Sequence, residues 1–94
     1  MIHQKLSILI ILYEENFEMI NKCLEKLKDL KIIIIDNAND KSLKDKVIKK
    51  FKIHKYFLNK KNIGFSKAAN QGIKVCETEY LLILGADCLI TYSD

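Results

Sequence analysis

Residues 32–38 read Ile-Ile-Ile-Ile-Asp-Asn-Ala, and this stretch decides the fold of the chain. Four consecutive β-branched residues are too few for a helix and are typical of a strand that is buried on both faces. The strand ends on a carboxylate and an amide, Asp36 and Asn37. Because parallel α/β sheets bind ligands beyond the carboxyl ends of their strands, Asp36 is predicted to lie at the mouth of a crevice.

Two further apolar segments end in the same way. Residues 8–12 run into Tyr13-Glu14-Glu15, and residues 80–84 run into Gly85-Ala86-Asp87. The predicted strands are residues 6–12, 31–35, 54–58 and 79–84, and the predicted helices run over about 16–30, from 40–42 to 51, and from 64–66 to 76. Single helices between successive strands imply right-handed crossovers and a parallel sheet.

The helical segments carry apolar residues at helical spacing. The predicted buried positions are Phe17, Ile20, Leu24, Leu27 and Leu30 in the first helix, and Leu43, Val47, Ile48 and Phe51 in the second. Asn16 is the predicted N-cap of the first helix. Cys23 and Cys76 are predicted to be small core residues, and Cys88, beside Asp87, is also expected in the core.

Composition limits the class of protein. The 94 residues suffice for one domain, and the hydrophobic fraction of 49% is that of a globular protein. Apolar runs of about eight residues are too short to span a bilayer. The net charge is +4 and every cation is Lys, whereas nucleic-acid readers usually carry Arg, so no nucleic-acid partner is predicted. Three isolated cysteines indicate reduced thiols in the cytoplasm.

Several α/β chemistries lack their motifs in this chain. No G-x-G-x-x-G follows the first strand, and neither a G-x-x-x-x-G-K-[ST] loop nor a G-x-S-x-G elbow is present. Dinucleotide binding, P-loop chemistry and hydrolase chemistry are therefore not predicted.

The acidic residues at the strand ends have two interpretations each. Asp36 could accept hydrogen bonds from a base N–H, or, with equal weight, it could cap a turn together with Asn37. Asp87 could be an oxygen ligand for Mg²⁺ or Mn²⁺, although a turn residue is the more common reading of an isolated aspartate. Glu14 and Glu15 are predicted in the N-terminal turn of the first helix, where negative charge is favourable.

Residues 59–72 combine lysines, amides and a glycine at a predicted helix start. Lys60, Lys61, Asn62 and Gly64 suit an anionic ligand, although an ordinary surface loop would look similar. Behind them, a face of small residues would let the helix approach the sheet closely; its members are Ala68, Ala69 and Gly72.

Four blocks of sequence together resemble the donor-binding half of family 2 glycosyltransferases with the GT-A fold. They are Ser-Ile-Leu-Ile-Ile-Leu-Tyr at 7–13, Ile-Ile-Asp-Asn-Ala at 34–38, Asn-Lys-Lys-Asn-Ile-Gly-Phe-Ser-Lys-Ala-Ala-Asn-Gln-Gly-Ile at 59–73 and Tyr-Leu-Leu-Ile-Leu-Gly-Ala-Asp at 80–87. The nearest branch is the rhamnosyltransferase-like one. The resemblance implies a four-stranded parallel sheet in the order 3-2-1-4 with three crossover helices, the Rossmann-like half of that fold.

The resemblance also implies roles for individual residues. Tyr13 would flank the nucleotide base, and Asp36 would bind a uracil- or thymine-like edge. Asn62, Gly64 and Lys67 would lie near the nucleotide. Asp87 would meet a Mg or Mn divalent cation on the diphosphate. The chain departs from the family pattern at three positions: Asn39 replaces a Ser or Thr, Gly85 replaces an Asn or Asp, and Ala86 replaces a Pro, Ser or Asp.

The activity implied is sugar transfer from a nucleotide-diphosphate sugar to a saccharide or lipid-linked acceptor, as in bacterial polysaccharide biosynthesis. The implied location is cytoplasmic, including the inner face of the membrane. Family members continue well beyond the metal aspartate, so residues 1–94 are expected to be a truncated donor-binding half, inactive alone, without the general base. The alternative is a non-catalytic nucleotide-binding or assembly module, or a remnant, that needs a second chain. Strand 79–85 is expected to self-associate as a sheet edge.

Overall fold

Four strands alternate with three helices along residues 5–85, the part of the chain that the computed structural model describes. The elements are β1 (Leu6–Leu12), α1 (Phe17–Glu25), β2 (Lys31–Asp36), α2 (Lys41–Lys50), β3 (Lys55–Leu58), α3 (Phe65–Val75) and β4 (Tyr80–Gly85). The strands form one parallel sheet in the order β3-β2-β1-β4, which confirms the predicted fold. Asp87 and Cys88 lie outside the described residues.

The two central strands carry almost uninterrupted aliphatic sequence because helices cover both faces of the sheet. In β1 every residue from Ser7 to Leu12 is buried, and in β2 every residue from Ile32 to Asp36 is buried. The register pairs Ile8 with Ile32 and Leu82, and Ile10 with Ile34 and Leu84.

One face of the sheet packs against α1 and α2. Alternate strand residues such as Ile8 and Ile32 meet Ile20 and Leu24 of α1 and Val47 of α2, and all five are buried. The helical spacing of Ile20, Leu24 and Val47 therefore predicted their burial correctly.

Within residues 5–85, the opposite face packs against a single helix, α3, and the contact is close. Leu9 and Ile33 meet Ala68 and Ala69, and a Cβ atom added at Gly72 would lie only 2.5 Å from Cδ2 of Leu9. The predicted face of small residues is confirmed, since a larger residue at the glycine would push the helix off the sheet.

The first helix is shorter than predicted. It ends at Glu25 rather than at residue 30, and the chain continues in tight turns in which Leu27 N–H donates to Leu24 O (3.0 Å) and Leu30 N–H donates to Leu27 O (3.0 Å). These i→i−3 bonds turn the chain toward β2 within a few residues, which a straight helix could not do. Leu27 nevertheless remains buried, as predicted.

Two predicted core residues lie elsewhere. Ile48 is 47% exposed because it lies about 140° around α2 from Leu43, off the face that Leu43 and Val47 turn to the core. Cys76 is the half-buried C-cap of α3 rather than a core residue, whereas Cys23 is buried as predicted. No helix within residues 5–85 combines the length and apolar character needed to cross a membrane.

Candidate functional site

The carboxyl ends of β1, β2 and β3 are joined by backbone hydrogen bonds beyond the strands themselves. Asn37 N–H donates to Leu12 O (2.8 Å), and Asn59 N–H donates to Asp36 O (2.9 Å). These bonds bring the segments after three different strands to one edge of the sheet, which we call the carboxyl edge.

Asp36 is fully buried at this edge, and both of its carboxylate oxygens bind the backbone. Oδ1 accepts from Ala38 N–H (2.7 Å) and Oδ2 accepts from Asp40 N–H (3.1 Å). Asp40 in turn caps α2 by accepting from Leu43 N–H (3.0 Å). The predicted turn role of Asp36 is therefore present, and its carboxylate orders the connection from β2 to α2.

Asn37, Asn59 and Gln71 form a carboxamide cluster on the α3 face. Asn59 Nδ2 donates both to Asn37 Oδ1 (2.8 Å) and to Gln71 Oε1 (2.9 Å), and Gln71 Nε2 donates back to Asn59 Oδ1 (2.9 Å). The cluster links β2, β3 and α3. No sequence pattern pairs these amides, because they come from three segments and meet only when α3 packs on the sheet.

Two buried polar atoms near this edge lack a hydrogen-bond partner within the described part of the chain. They are Asn37 Nδ2 and the Tyr56 hydroxyl. An unsatisfied buried donor costs about 1–3 kcal/mol. Burial, followed by the nearby charges of Asp36 and Asp40, raises the pKa of Tyr56, so this hydroxyl keeps its proton at neutral pH.

The start of α3 is open to an anion. Gly64, its N-cap, has φ +85° and ψ 170°, offers no side-chain cap, and donates its own N–H to Asn62 Oδ1 (2.8 Å). The first N–H groups of the helix thus lack a capping side chain. Lys67 is exposed in the same turn. Free helical N–H groups beside a cation suit a phosphate or carboxylate.

Tyr13 follows β1 and lies on the same face as the carboxamide cluster. Its side chain is half-buried and packs against the core between the sheet and α3. Its N–H donates to Glu15 Oε1 (2.6 Å), which also accepts from Glu14 N–H (3.0 Å). Both glutamates precede α1 rather than forming its first turn, because Asn16 is the N-cap and accepts from Met19 N–H (3.0 Å).

The predicted site residues thus fall into three groups. Tyr13 lies on the α3 face, Asp36 is turned toward α2 and its own loop, and Asn62, Gly64 and Lys67 are exposed around the start of α3. Asp87 lies outside the described residues. Within residues 5–85, no group of three acidic, histidine or cysteine side chains could hold a metal ion.

Comparison with known proteins gives one match. No curated protein and no solved structure is significantly similar to the chain. The model of the family described as Glycosyl transferase family 2 matches residues 7–94, a range that includes all four strands and all three helices described above except Leu6. The chain therefore belongs to glycosyl transferase family 2.

Proposed function

We propose that the carboxyl edge binds the nucleotide diphosphate of a sugar donor, and that the protein serves sugar transfer to a saccharide or lipid-linked acceptor. The observation that carries the proposal is the family match over residues 7–94, which spans every segment that contributes to this edge. The position of the edge also fits the general rule that open parallel sheets bind ligands beyond their carboxyl ends.

In this proposal, one group of residues at the carboxyl edge binds the base of the donor and another binds its diphosphate. Tyr13 flanks the base, and Asp36, which already accepts from Ala38 N–H and Asp40 N–H, accepts a further hydrogen bond from it. Asn62, Gly64 and Lys67 lie against the diphosphate, which the exposed lysine and the uncapped N–H groups of α3 would attract.

Asp87 is proposed to meet a Mg²⁺ or Mn²⁺ ion on the diphosphate. The ion would act as a Lewis acid toward the leaving diphosphate. Gly85 has no side chain to add a ligand, so we expect the ion to bind weakly unless the diphosphate supplies oxygens as well.

Further proposals rest on the sequence resemblance. They are membership of the rhamnosyltransferase-like branch, a role in bacterial polysaccharide biosynthesis, and a location in the cytoplasm or at the inner face of the membrane.

Calorimetric titration of the chain with uridine and thymidine diphosphates tests donor binding. We expect saturable binding of at least one nucleotide, and we expect Asp36→Asn to weaken it by about tenfold, since hydrogen bonds to charged groups contribute roughly 1.5–3 kcal/mol. Asp45→Asn, the same change at an exposed position in the middle of α2, is a control that should leave the affinity unchanged. A folded chain that binds no nucleoside diphosphate would contradict the proposal.

A second candidate is a non-catalytic module that needs another chain, and the free side of β4 favours it. Among the described strands β4 pairs only with β1, and Tyr80 and Leu82 are 55% and 44% exposed. Such an edge invites strand pairing with a second chain. Light scattering should then show a dimer or larger species that Leu82→Lys dissociates, whereas a monomer at all concentrations would rule this candidate out.

A further inference from the structure

The net charge of the chain is concentrated in two short segments, residues 25–31 and 49–52. They read Glu-Lys-Leu-Lys-Asp-Leu-Lys and Lys-Lys-Phe-Lys, so together they contain six lysines and two carboxylates. In the rest of the chain ten lysines are balanced by ten carboxylates, since the totals are 16 and 12. The whole formal charge of +4 therefore belongs to these eleven residues.

The fold brings both segments to the amino edge of the sheet, where the strands begin. The first segment ends α1 and leads into β2, and the second ends α2. Lys50 Nζ lies 3.3 Å from Glu25 Oε1, and Lys28 and Lys52 line the same two adjoining clefts. We call the six exposed lysines of the two segments the basic face; they are Lys26, Lys28, Lys31, Lys49, Lys50 and Lys52.

Opposing charges at the amino edge reduce this excess without cancelling it. The ends of α1 and α2 each contribute about half a negative charge, so about three positive charges remain. The carboxylates that precede β4, Glu77 and Glu79, are matched by Lys5 and Lys55, which lie at the starts of β1 and β3. Within residues 5–85, four of the six lysines of the basic face form no ion pair, because Glu25 engages the other two.

Apolar side chains lie between these lysines. Leu30, Phe51 and Ile53 are half-buried and line the two clefts, which measure ≈ 260 and ≈ 660 Å³. Lysines around apolar groups suit an anionic bilayer, because the cations meet the phosphates while the apolar groups approach the acyl boundary. A nucleic acid is less well matched, since the chain has no Arg to fork onto phosphates or bases.

We propose that the basic face docks the protein on a bilayer that contains anionic phospholipids. This docking rests on the membrane location proposed above and names the surface that produces it. An extended anionic surface engages all six lysines at once, whereas a single small anion would engage few of them. The carboxyl edge lies at the other ends of the parallel strands, so a docked molecule keeps the proposed donor site open to water.

Sedimentation of the full chain with vesicles tests the docking. We expect binding to vesicles of mixed phosphatidylglycerol and phosphatidylcholine, little binding to pure phosphatidylcholine, and weaker binding as the salt concentration rises. Replacing two unpaired lysines together, Lys31→Gln with Lys52→Gln, should weaken binding about twentyfold, since each lysine near an anionic surface contributes about a factor of five. The control, Lys22→Gln with Lys41→Gln, makes the same charge change at exposed positions outside the basic face and should bind like the wild type.

Three results would overturn the assignment. Equal weakening in the two paired variants, each shown to be folded by circular dichroism, would mean that net charge and not the basic face decides. Equal binding to neutral vesicles would remove the electrostatic cause. Tighter binding to duplex DNA than to the anionic vesicles, at the same phosphate concentration, would point to a nucleic-acid partner instead.

The orientation of the docked molecule gives an independent readout. Vesicles that carry gadolinium on a lipid headgroup should broaden the amide signals of residues 26–31 and 49–52 and spare those of residues 62–67; the reverse pattern would overturn the docking. Titration with nucleoside diphosphates separates this proposal from the donor site. A chain that binds anionic vesicles but no nucleotide supports the docking and refutes the donor site, and one that binds nucleotide but no vesicle does the opposite.

Discussion

The two edges of the sheet are both polar, but they are built differently. At the carboxyl edge, acidic and amide side chains bind backbone groups or one another, as in Asp36 and the carboxamide cluster. At the amino edge, a cleft of ≈ 660 Å³ is lined by three lysines, Lys28, Lys31 and Lys52, together with apolar residues such as Leu30 and Ile53.

The direction of the helices explains this difference. In a parallel sheet with single crossovers, helices begin at the carboxyl edge and end at the amino edge, so the positive ends of their dipoles face the former and the negative ends the latter. Lysines in the last turns of the helices, such as Lys50 of α2, compensate the negative ends. Glu25 forms ion pairs both with Lys50 (3.3 Å) and with Lys28 (3.1 Å), which follows α1. Hydrogen bonds from these two lysines lower the pKa of Glu25.

A basic cleft is not in itself an anion site. Lys28 and Lys50 already form ion pairs with Glu25 at the amino edge, and His54 contacts Glu77 there (Nε2 to Oε1, 2.8 Å). The smaller set of cations at the start of α3 lies beside helical N–H groups that lack a side-chain cap. An anion is therefore expected at the carboxyl edge.

The largest expected effect comes from removing Asp36. Asp36→Ala leaves Ala38 N–H and Asp40 N–H without their acceptor, so we expect a loss of about 2–3 kcal/mol in the free energy of unfolding. The control is Asp40→Ala, which removes only one capping bond and should cost about 1 kcal/mol. Urea unfolding measures both, and equal losses would show that the buried carboxylate contributes no more than an exposed cap.

The next largest loss of stability is expected where α3 packs closely against the sheet. Gly72→Ala places a methyl group against Leu9, which is fully buried, and we expect a net loss of about 1–2 kcal/mol after the gain in helix propensity. Asn70→Ala adds no such contact on the same helix and should be neutral or slightly stabilising. Thermal unfolding compares the two, and a stabilised Gly72→Ala would contradict the packing described here.

A substitution at Gly64 tests backbone strain without any packing clash. A Cβ atom there would meet nothing within 4 Å, yet φ +85° with ψ 170° is a conformation used almost only by glycine. We expect Gly64→Ala to cost about 1–2 kcal/mol through backbone strain alone. Ser66→Ala, exposed two residues later, is its control. Chemical unfolding with an unchanged midpoint for Gly64→Ala would show that the loop can adopt another conformation.

The smallest expected effect is on nucleotide affinity, and it compares one exposed lysine from each edge of the sheet. Lys67→Gln removes an exposed cation beside the start of α3 and should weaken nucleoside diphosphate binding about two- to fivefold, an effect that salt reduces. Lys52→Gln removes an exposed cation from the amino-edge cleft and should leave the affinity unchanged. Calorimetry at low and moderate salt compares them. A larger loss with Lys52→Gln would move the anion site to the amino edge.

Much of the architecture could be predicted because it follows from local sequence patterns. The run Ile32–Ile35 and the helical spacing of Ile20 and Leu24 correctly predicted a buried strand and a core-facing helix. Ile48 was predicted wrongly, since an apolar side chain near a core-facing position can still lie off the buried face. The residues near the nucleotide stay predictions, because their role depends on a ligand and not on the packing of the chain.

The order of strands and helices and most of the core follow from sequence patterns, because each element's burial is encoded in its own periodicity. The use made of the polar strand ends depends on tertiary packing. Packing turned Asp36 inward onto Ala38 and Asp40, and it brought Asn37, Asn59 and Gln71 together. Hydrogen bonds between distant segments depend on distances of a few tenths of an ångström, and those distances are set only when β2, β3 and α3 pack against one another.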